Sequence, residues 1–480
     1  MGIPAGPGGG RMSEGRELTR GLGLVPAIAI NVGNMIGTGI FLKTRVMTCN
    51  VGASSTVLAV WVIGGLLALA GAFAYSEIAA MMPEAGGEYV YLRRAYGRLA
   101  SFLCGWTFFT LARCGAQAAL AVGFAIFMNV ATGGALSRPL FEVPLPGHAL
   151  HVTLLTVVAV GSIWTIAFLN CRTVARGGQT ALGLTSIKVL FLLGLACAAL
   201  LFGHGDFAHF GESNVGGSCE GVADSARGGL AGLGAAMLGA LWAYDGWNNV
   251  APLLGEIRNP ERNVPRVFLG GMFVVLGLYV LVTVAYFYVL SPTEIANIPA
   301  ASSVGTEVLR RFVGPYAVIA LALVLMLSAF SSQQASALSN SRVPFAMARD
   351  GLFFRPLADL SPRSHVPVNA ILAQAGWATV LAVSGTFDTL TDAAMFGSWI
   401  FYGLTVAAVF VLRRREPDAP RPYHCFGYPL VPAVFLLLTS LVVVNAFVAT
   451  PHQALLGAGL ILLGLPAYLY YTRRRGVAAA

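Results

Sequence analysis

The chain has 480 residues, of which 56% are hydrophobic and only 11% charged. Soluble domains carry roughly 25% charged residues, so this chain has too few polar side chains to cover a water-facing surface and is not an ordinary soluble enzyme or binding module. The formal charge of +9 does not indicate nucleic-acid binding either, because the arginines are scattered in short clusters between apolar runs.

Twelve apolar runs follow one another, each long enough at about 20 residues to cross a bilayer. Residues 1–21 are polar and Gly-rich and read as a cytoplasmic tail. The first run, 22–42, has no small-residue cleavage site after it, so it is expected to be a retained helix and not a signal peptide. Met1-Gly2 lacks Ser or Thr at position 6, which does not fit an acylation signal. The second run, 54–82, carries Glu77 near its inner end, where a structural hydrogen bond is the expected role. Tyr89, Tyr91 and Tyr96 follow in a short inner loop and read as interfacial anchors. The third run, 100–130, holds Arg113 deep inside, for which a packed structural partner is favoured over a gating role. Runs four and five cover 151–170 and 180–203, the latter with Lys188 about a third of the way in. The remaining runs are 229–253, 268–291, 314–343, 366–385, 390–412, 428–449 and 453–472, before a short tail at 473–480. The eighth should extend past the membrane.

Basic residues orient this arrangement. An even number of spans puts both termini on one side, and the segments of that side hold 22 of the 30 Lys and Arg residues, against six opposite and two, Arg113 and Lys188, inside runs. That asymmetry places both termini in the cytoplasm of a multi-pass protein of the cell (inner) membrane. The seven cysteines form no evident framework; Cys104, Cys114, Cys171 and Cys197 read as packing residues, and Cys49 and Cys219 share the outer side, where pairing is open to them. His204, Asp206 and His209 read as a solvated outer loop in preference to a metal site. No Walker loop, dinucleotide fingerprint or catalytic triad is present, so neither a primary pump nor an intramembrane enzyme is expected, and no cofactor or metal.

Two interrupted runs carry the functional signal. In Asn31-Val-Gly-Asn-Met-Ile-Gly-Thr-Gly-Ile-Phe41, Gly33, Gly37 and Gly39 fall mid-membrane, each weakening a helix by roughly 1 kcal/mol relative to Ala. An unwound turn there exposes N–H and C=O groups that lipid cannot satisfy. A close packing seam is the competing reading for Gly33 and Gly37, which have G-x-x-x-G spacing. The sixth run places Asp245, Gly246, Asn248 and Asn249 where a lipid-facing helix should be apolar. Spans one and six are corresponding members of two five-helix halves, and paired interruptions of this kind mark an inverted-repeat transporter with a midplane site. Such a site suits a zwitterion: the positive end of a half-helix after Gly37 faces a carboxylate, and freed carbonyls face an ammonium group.

At these residues the chain resembles a known family. Gly37-Thr-Gly-Ile-Phe41 is similar to the G-S/T-G-I-F signature of the amino acid–polyamine–organocation superfamily, and Trp242-Ala-Tyr-Asp-Gly-Trp-Asn248 resembles the F-A-Y-G-G-W-N element of its L-type amino-acid transporter branch. Supporting matches run from about residue 18 to 472, among them Glu84-Ala-Gly-Gly-Glu-Tyr-Val-Tyr91, the loop Glu256-Ile-Arg-Asn-Pro-Glu-Arg-Asn-Val-Pro265, Ala285-Tyr-Phe287, Ser341-Arg342 and Phe401-Tyr-Gly-Leu404. The resemblance implies an all-α membrane protein with 12 transmembrane helices: a 5+5 inverted-repeat core, with repeats at 22–203 and 229–412, plus two extra helices at 428–472. It implies sodium-independent exchange of neutral L-amino acids by alternating access, with proton- or sodium-coupled symport and a membrane amino-acid sensor as the alternatives. Carried across, Met35, Ile36, Gly37, Thr38 and Gly39 would meet the substrate carboxylate and amine through the backbone. Trp242, Ala243 and Asp245 would offer carbonyls to the amine, with the Trp242 ring as a lid; Asn248 would support the second break and Tyr286 would hydrogen-bond near the site. Sodium-coupled relatives bridge the first break to span eight with an ion. In sodium-independent members a span-five lysine takes that place, which implies that Lys188 reaches carbonyls near Gly33 or Asn34 and a hydroxyl such as Ser331 or Ser332. Two departures stand out. Asp245 replaces a Gly found in many relatives of the branch, which bears on strict neutrality of the site. The outer loop at 131–150 contains no Cys, so no disulfide-linked heavy chain is expected as a partner.

Overall fold

The computed structural model describes residues 18–145, 148–213, 216–299, 302–384, 387–449 and 451–479; most of the tail assigned to 1–21 lies outside the described residues. The first apolar run is two helices, α1 (Leu24–Met35) and α2 (Gly39–Val51), bent by 41° at the intervening residues. The second run is α3 (Ser54–Met81), and the loop after it folds into a short helix, α4 (Glu88–Tyr96). The third run is α5 (Arg98–Thr107) and α6 (Arg113–Ala131), joined through a π-helical turn at Phe108–Ala112. Next come α7 (Leu154–Asn170), α8 (Val174–Phe202), α9 (Gly229–Tyr244) and α10 (Pro260–Val289). Two short helices, α11 (Pro292–Ala296) and α12 (Val304–Val313), precede α13 (Ala317–Asn340), which continues into α14 (Arg342–Arg349) as the long eighth run suggested. The chain ends with α15 (Val368–Ser384), α16 (Phe387–Arg415), α17 (Leu430–Ala449), α18 (Pro451–Leu462) and α19 (Gly464–Ala479).

Among the described residues, five helices are long and apolar enough to cross a membrane, six if the bent α1–α2 pair is one span, and four shorter apolar helices accompany them. The distribution of polarity is the reverse of a soluble protein's. Leu201 is 74% and Leu230 87% exposed, while Glu88, Arg113 and Lys188 are almost completely buried. Apolar side chains can face outward at no cost only where the surroundings are lipid, and ionisable ones then turn inward.

Small residues let the helices approach. A Cβ on Gly33 would sit 2.6 Å from Thr185 Oγ1 of α8, and one on Gly64 would sit 2.8 Å from Ala240 Cβ of α9. Without a hydrophobic drive between helices in lipid, such close contact is a main source of association. α1 packs between α8, α10 and α13, α2 lies against α9, and α6 lies along α13. Buried ion pairs tie the helix ends. Glu256 and Arg342, both fully buried, meet at 2.7 Å. Glu77 receives Arg413 at 2.6 Å, Arg421 at 3.4 Å and the Cys425 N–H at 2.7 Å, the structural role foreseen for it. At the rim, the Arg94 guanidinium hydrogen-bonds Glu416 and holds its carboxyl below the usual range.

Several expectations change. Among the described residues the chain is all-helical apart from one antiparallel pair, β1 (Pro139–Leu145) and β2 (His148–Thr153), in the loop before α7, so the fourth run begins at Leu154 and not at 151. The sixth run stops being α-helical at Tyr244, and the twelfth is divided between α18 and α19. Tyr89 and Tyr91 are fully buried and not interfacial; the Tyr89 hydroxyl donates to Asp350 at 2.7 Å. Cys49 and Cys219 form a disulfide across 170 residues, tying the C-terminal end of α2 to the loop before α9.

Candidate functional site

The first break leaves carbonyls at the end of α1 and N–H groups at the start of α2 without helical partners, as any interrupted helix must. The carbonyls are satisfied from three neighbouring helices. Lys188 of α8 donates to Gly33 O at 2.8 Å and Ile36 O at 2.7 Å, and to Ser332 Oγ of α13 at 3.1 Å. Ser332 Oγ lies 2.8 Å from Gly33 O and 3.1 Å from Ile36 O, and Ser328 Oγ lies 3.0 Å from Ile36 O. The Tyr279 hydroxyl of α10 lies 3.0 Å from Met35 O. The N-terminus of α2 is different: Thr38 occupies the N-cap position without a side-chain cap, so the positive end of this half-helix stays available to an anion.

The second break begins where α9 ends. The Asp245 N–H bonds back to Trp242 O at 3.2 Å, Gly246 turns to φ 97°, and the chain resumes as a 3₁₀ turn at Ala251–Glu256. Gly246 is required twice over, since its φ is left-handed and a Cβ there would lie 2.9 Å from Asn34 O of the first break. Backbone therefore touches backbone where the two breaks meet. Tyr279 joins them a second time, its hydroxyl lying 3.1 Å from Ala243 O as well as close to Met35 O.

Between the breaks is a cavity of about 120 Å³. One wall is Met35, Gly37, Thr38 and Gly39; a second is Trp242, Ala243 and Asp245. Ala112 and Arg113 come from the end of the π turn and the start of α6, and hydroxyls come from Ser332, Ser336 and Ser398. The two glycines of the first break differ. A Cβ on Gly37 would meet nothing within 4 Å, whereas one on Gly39 would fall 2.7 Å from Ala243 Cβ, so Gly39 is a packing contact between α2 and α9 and Gly37 faces open space. Lys43 stands over the Trp242 ring at 4.7 Å. Beneath the cavity, Arg113 pairs with Glu88 at 3.1 Å, and Glu88 also accepts from Asn248 at 2.5 Å.

Of the residues singled out from sequence, Met35, Gly37, Thr38, Gly39, Trp242, Ala243 and Asp245 line the cavity together. Ile36 does not; its side chain is buried and its carbonyl faces Lys188. Asn248 is turned away, held by Glu88 and, at 3.4 Å, Tyr75. Tyr286 is buried in α10 outside the cavity wall, with its hydroxyl beside Gly305. Lys188 donates to Gly33 O, Ile36 O and Ser332 Oγ and not to Asn34 O, and Ser331 Oγ has no partner among the described residues. Sequence reasoning missed Tyr279 and Ser328, whose residue types are unremarkable within apolar helices, and the approach of Arg113 to the cavity. The π turn that aims Arg113 has no sequence mark. Among the described residues no three His, Cys, Asp or Glu side chains cluster to hold a metal ion. The site can therefore enclose a small zwitterion, with free N–H groups at one end and carbonyls and an acid at the other.

The family described as "Amino acid permease" matches residues 22–469. The serine/threonine exchanger SteT of Bacillus subtilis is 30% identical over 96% of this chain and 99% of its own length. The human large neutral amino acids transporter small subunit 2 is 29% identical over 97% of this chain and 82% of its own, and the mouse b(0,+)-type amino acid transporter 1 is 27% identical over 95% and 88%.

Proposed function

The chain belongs to the amino acid permease family, within the amino acid–polyamine–organocation superfamily, and from that membership we propose that it exchanges neutral L-amino acids one for one, without sodium, by alternating access. The family consists of transporters and not enzymes. In this reading the chain crosses the cell membrane twelve times with both termini in the cytoplasm. Residues 22–203 and 229–412 form two inverted five-helix repeats, and 428–472 supply two further helices. The α-carboxylate sits at the N-terminus of α2 by Gly37, Thr38 and Gly39, the amine sits by the Trp242, Ala243 and Asp245 segment, and no heavy chain is needed.

The observation that carries the sodium-independent reading is Lys188. Its ammonium bridges Gly33 O and Ile36 O to Ser332 Oγ at 2.7–3.1 Å, joining the first break to α13. A fixed cation there does the electrostatic work that a bound sodium ion would do: it neutralises the carbonyl end of α1 and clamps it to the neighbouring helix. The serine/threonine exchanger among the relatives supports the exchange part of the reading. The test is uptake of labelled amino acids into proteoliposomes with and without internal amino acid, in sodium and in choline buffers. Exchange predicts uptake that needs internal substrate and ignores sodium; uptake into empty vesicles, or dependence on sodium, would overturn it.

A further inference from the structure

Two unwound segments cannot hold a fixed spacing by themselves, because neither carries the i→i−4 hydrogen-bond ladder of a helix. Spacing matters at this site. In the proposed exchange cycle the first break takes the carboxylate and the second takes the amine, so the separation of the breaks measures the substrate backbone. α10 runs past both as one continuous helix and sends Tyr279 between them. The Tyr279 hydroxyl lies 3.0 Å from Met35 O of the first break and 3.1 Å from Ala243 O at the start of the second. Met35 O also accepts the Gly37 N–H at 2.9 Å, which leaves the hydroxyl proton free to serve Ala243 O. The ring is held from swinging away. It is fully buried, meets the Trp61 ring of α3 edge-on at 5.2 Å, and lies 5.1 Å from the Tyr244 ring of α9. Tyr244 is itself anchored, since its hydroxyl donates to Trp61 O at 3.0 Å. Met35 and Ala243 both line the cavity and Tyr279 does not, so Tyr279 acts on the site through them.

We propose that Tyr279 is a positioning residue that fixes the separation of the two breaks and so selects α-amino acids over their β-isomers. This rests on the exchanger reading, with the carboxylate and the amine at the ends assigned to them there. An α-amino acid has one carbon between its amine and its carboxyl group. A β-amino acid has two, which lengthens the path by about 1.5 Å. The breaks can part to admit the longer zwitterion only by giving up a bond from the Tyr279 hydroxyl or by displacing a ring wedged against Trp61 and Tyr244. Close-packed interiors resist such a displacement. Removing the hydroxyl alone keeps the ring and its packing but releases the tie, and the breaks are then free to adjust. The selection acts on the backbone of the substrate and is independent of its side chain.

L-Alanine and β-alanine are isomers of the same net charge, and they make the test. In proteoliposome counterflow the unmodified protein should favour alanine in kcat/KM by about tenfold to two-hundredfold, the range that one methylene commands in a fitted site. Tyr279→Phe should lower that ratio about fivefold, through a higher KM for alanine and a lower one for β-alanine, since a hydrogen bond of ordinary strength is worth a factor of that order. Tyr244→Phe is the control. It deletes a buried hydroxyl from the neighbouring ring, one that bonds to Trp61 O and to neither break, and should leave the ratio unchanged even where it lowers the melting temperature. An unchanged ratio in Tyr279→Phe, or the same drop in Tyr244→Phe, overturns the proposal. So does a Tyr279→Phe protein that cannot be extracted folded when Tyr244→Phe can, because the hydroxyl would then serve packing. Equal exchange of the two isomers by the unmodified protein overturns it too and leaves the exchanger reading standing. Failure to exchange any neutral α-amino acid overturns both readings.

Discussion

Replacing Lys188 with alanine removes three charge-assisted hydrogen bonds, to Gly33 O, Ile36 O and Ser332 Oγ, from a fully buried position. Hydrogen bonds to charged groups contribute about 1.5–3 kcal/mol each, giving a gross loss of about 4.5–9 kcal/mol. Against this, the ammonium no longer has to be desolvated, a saving of several kcal/mol on the usual scale of about 3–6. Ser332 and Ser328 still reach both carbonyls, at 2.8 Å and 3.0 Å, so neither is orphaned. The two terms offset each other to a net effect on folding of about 1.5–3 kcal/mol, a shift of a few degrees in melting temperature for a chain this long. The clamp on the break loses more, because the cation is the group that holds both carbonyls and α13 at one point. A loosening of about 3 kcal/mol there is worth roughly a hundredfold in the population of the binding geometry. Exchange by Lys188→Ala should therefore fall about a hundredfold while expression, membrane insertion and melting temperature stay close to those of the parent. Initial rates of counterflow in proteoliposomes, read beside thermal unfolding of the purified protein, check both parts. Full activity in Lys188→Ala, or sodium-stimulated uptake by the unmodified protein, would refute the reasoning.

Gly37→Val should place its side chain in the cavity, where a Cβ meets nothing within 4 Å, and abolish substrate-induced thermal stabilisation while the apo protein melts normally. Gly39→Val should instead lower the melting temperature, because a Cβ there collides with Ala243 at 2.7 Å and overpacking costs about 1–3 kcal/mol. Arg342→Ala strands Glu256 as a buried carboxylate and should destabilise the protein by about 3–5 kcal/mol, seen as lost monodispersity on detergent extraction; the double change with Glu256→Gln should recover part of that. Mass spectrometry of unreduced, alkylated protein should recover Cys49 and Cys219 in one linked peptide, with Cys197 modified as an exposed thiol.

How much of this was legible beforehand can be followed residue by residue. The membrane class, the helical runs and the two interruptions were readable in the chain itself, and Lys188 stood out by its depth, while the role proposed for it came from the resemblance. Each rests on a local physical rule: a bilayer demands about 20 apolar residues per crossing, glycines weaken a helix where they stand, and a lone buried-depth lysine is costly enough to require a reason. The hairpin at 139–153 was overlooked because the apolar run beginning at 151 read as a continuous helix, and short apolar stretches do not separate strand from helix by periodicity.

What only the tertiary structure decided is which groups share a space. Ile36, Asn248 and Tyr286 carry plausible motifs yet face away from the cavity, because a side chain's direction at an unwound turn depends on φ and ψ that no helical period dictates. Gly37 and Gly39 are indistinguishable as letters two positions apart, and the neighbouring α9 alone makes one a window and the other a contact. Tyr279 lies 244 residues from Met35 and 36 from Ala243, and its hydroxyl gains a role only when three helices converge on it. Arg113 was known to be deep, but its pairing with Glu88, 25 residues away across the turn before α5, and the π turn that brings it to the cavity wall are products of packing. Sequence determines where the backbone must break; the fold determines what meets at the break, because contact is a property of distance in space and not along the chain.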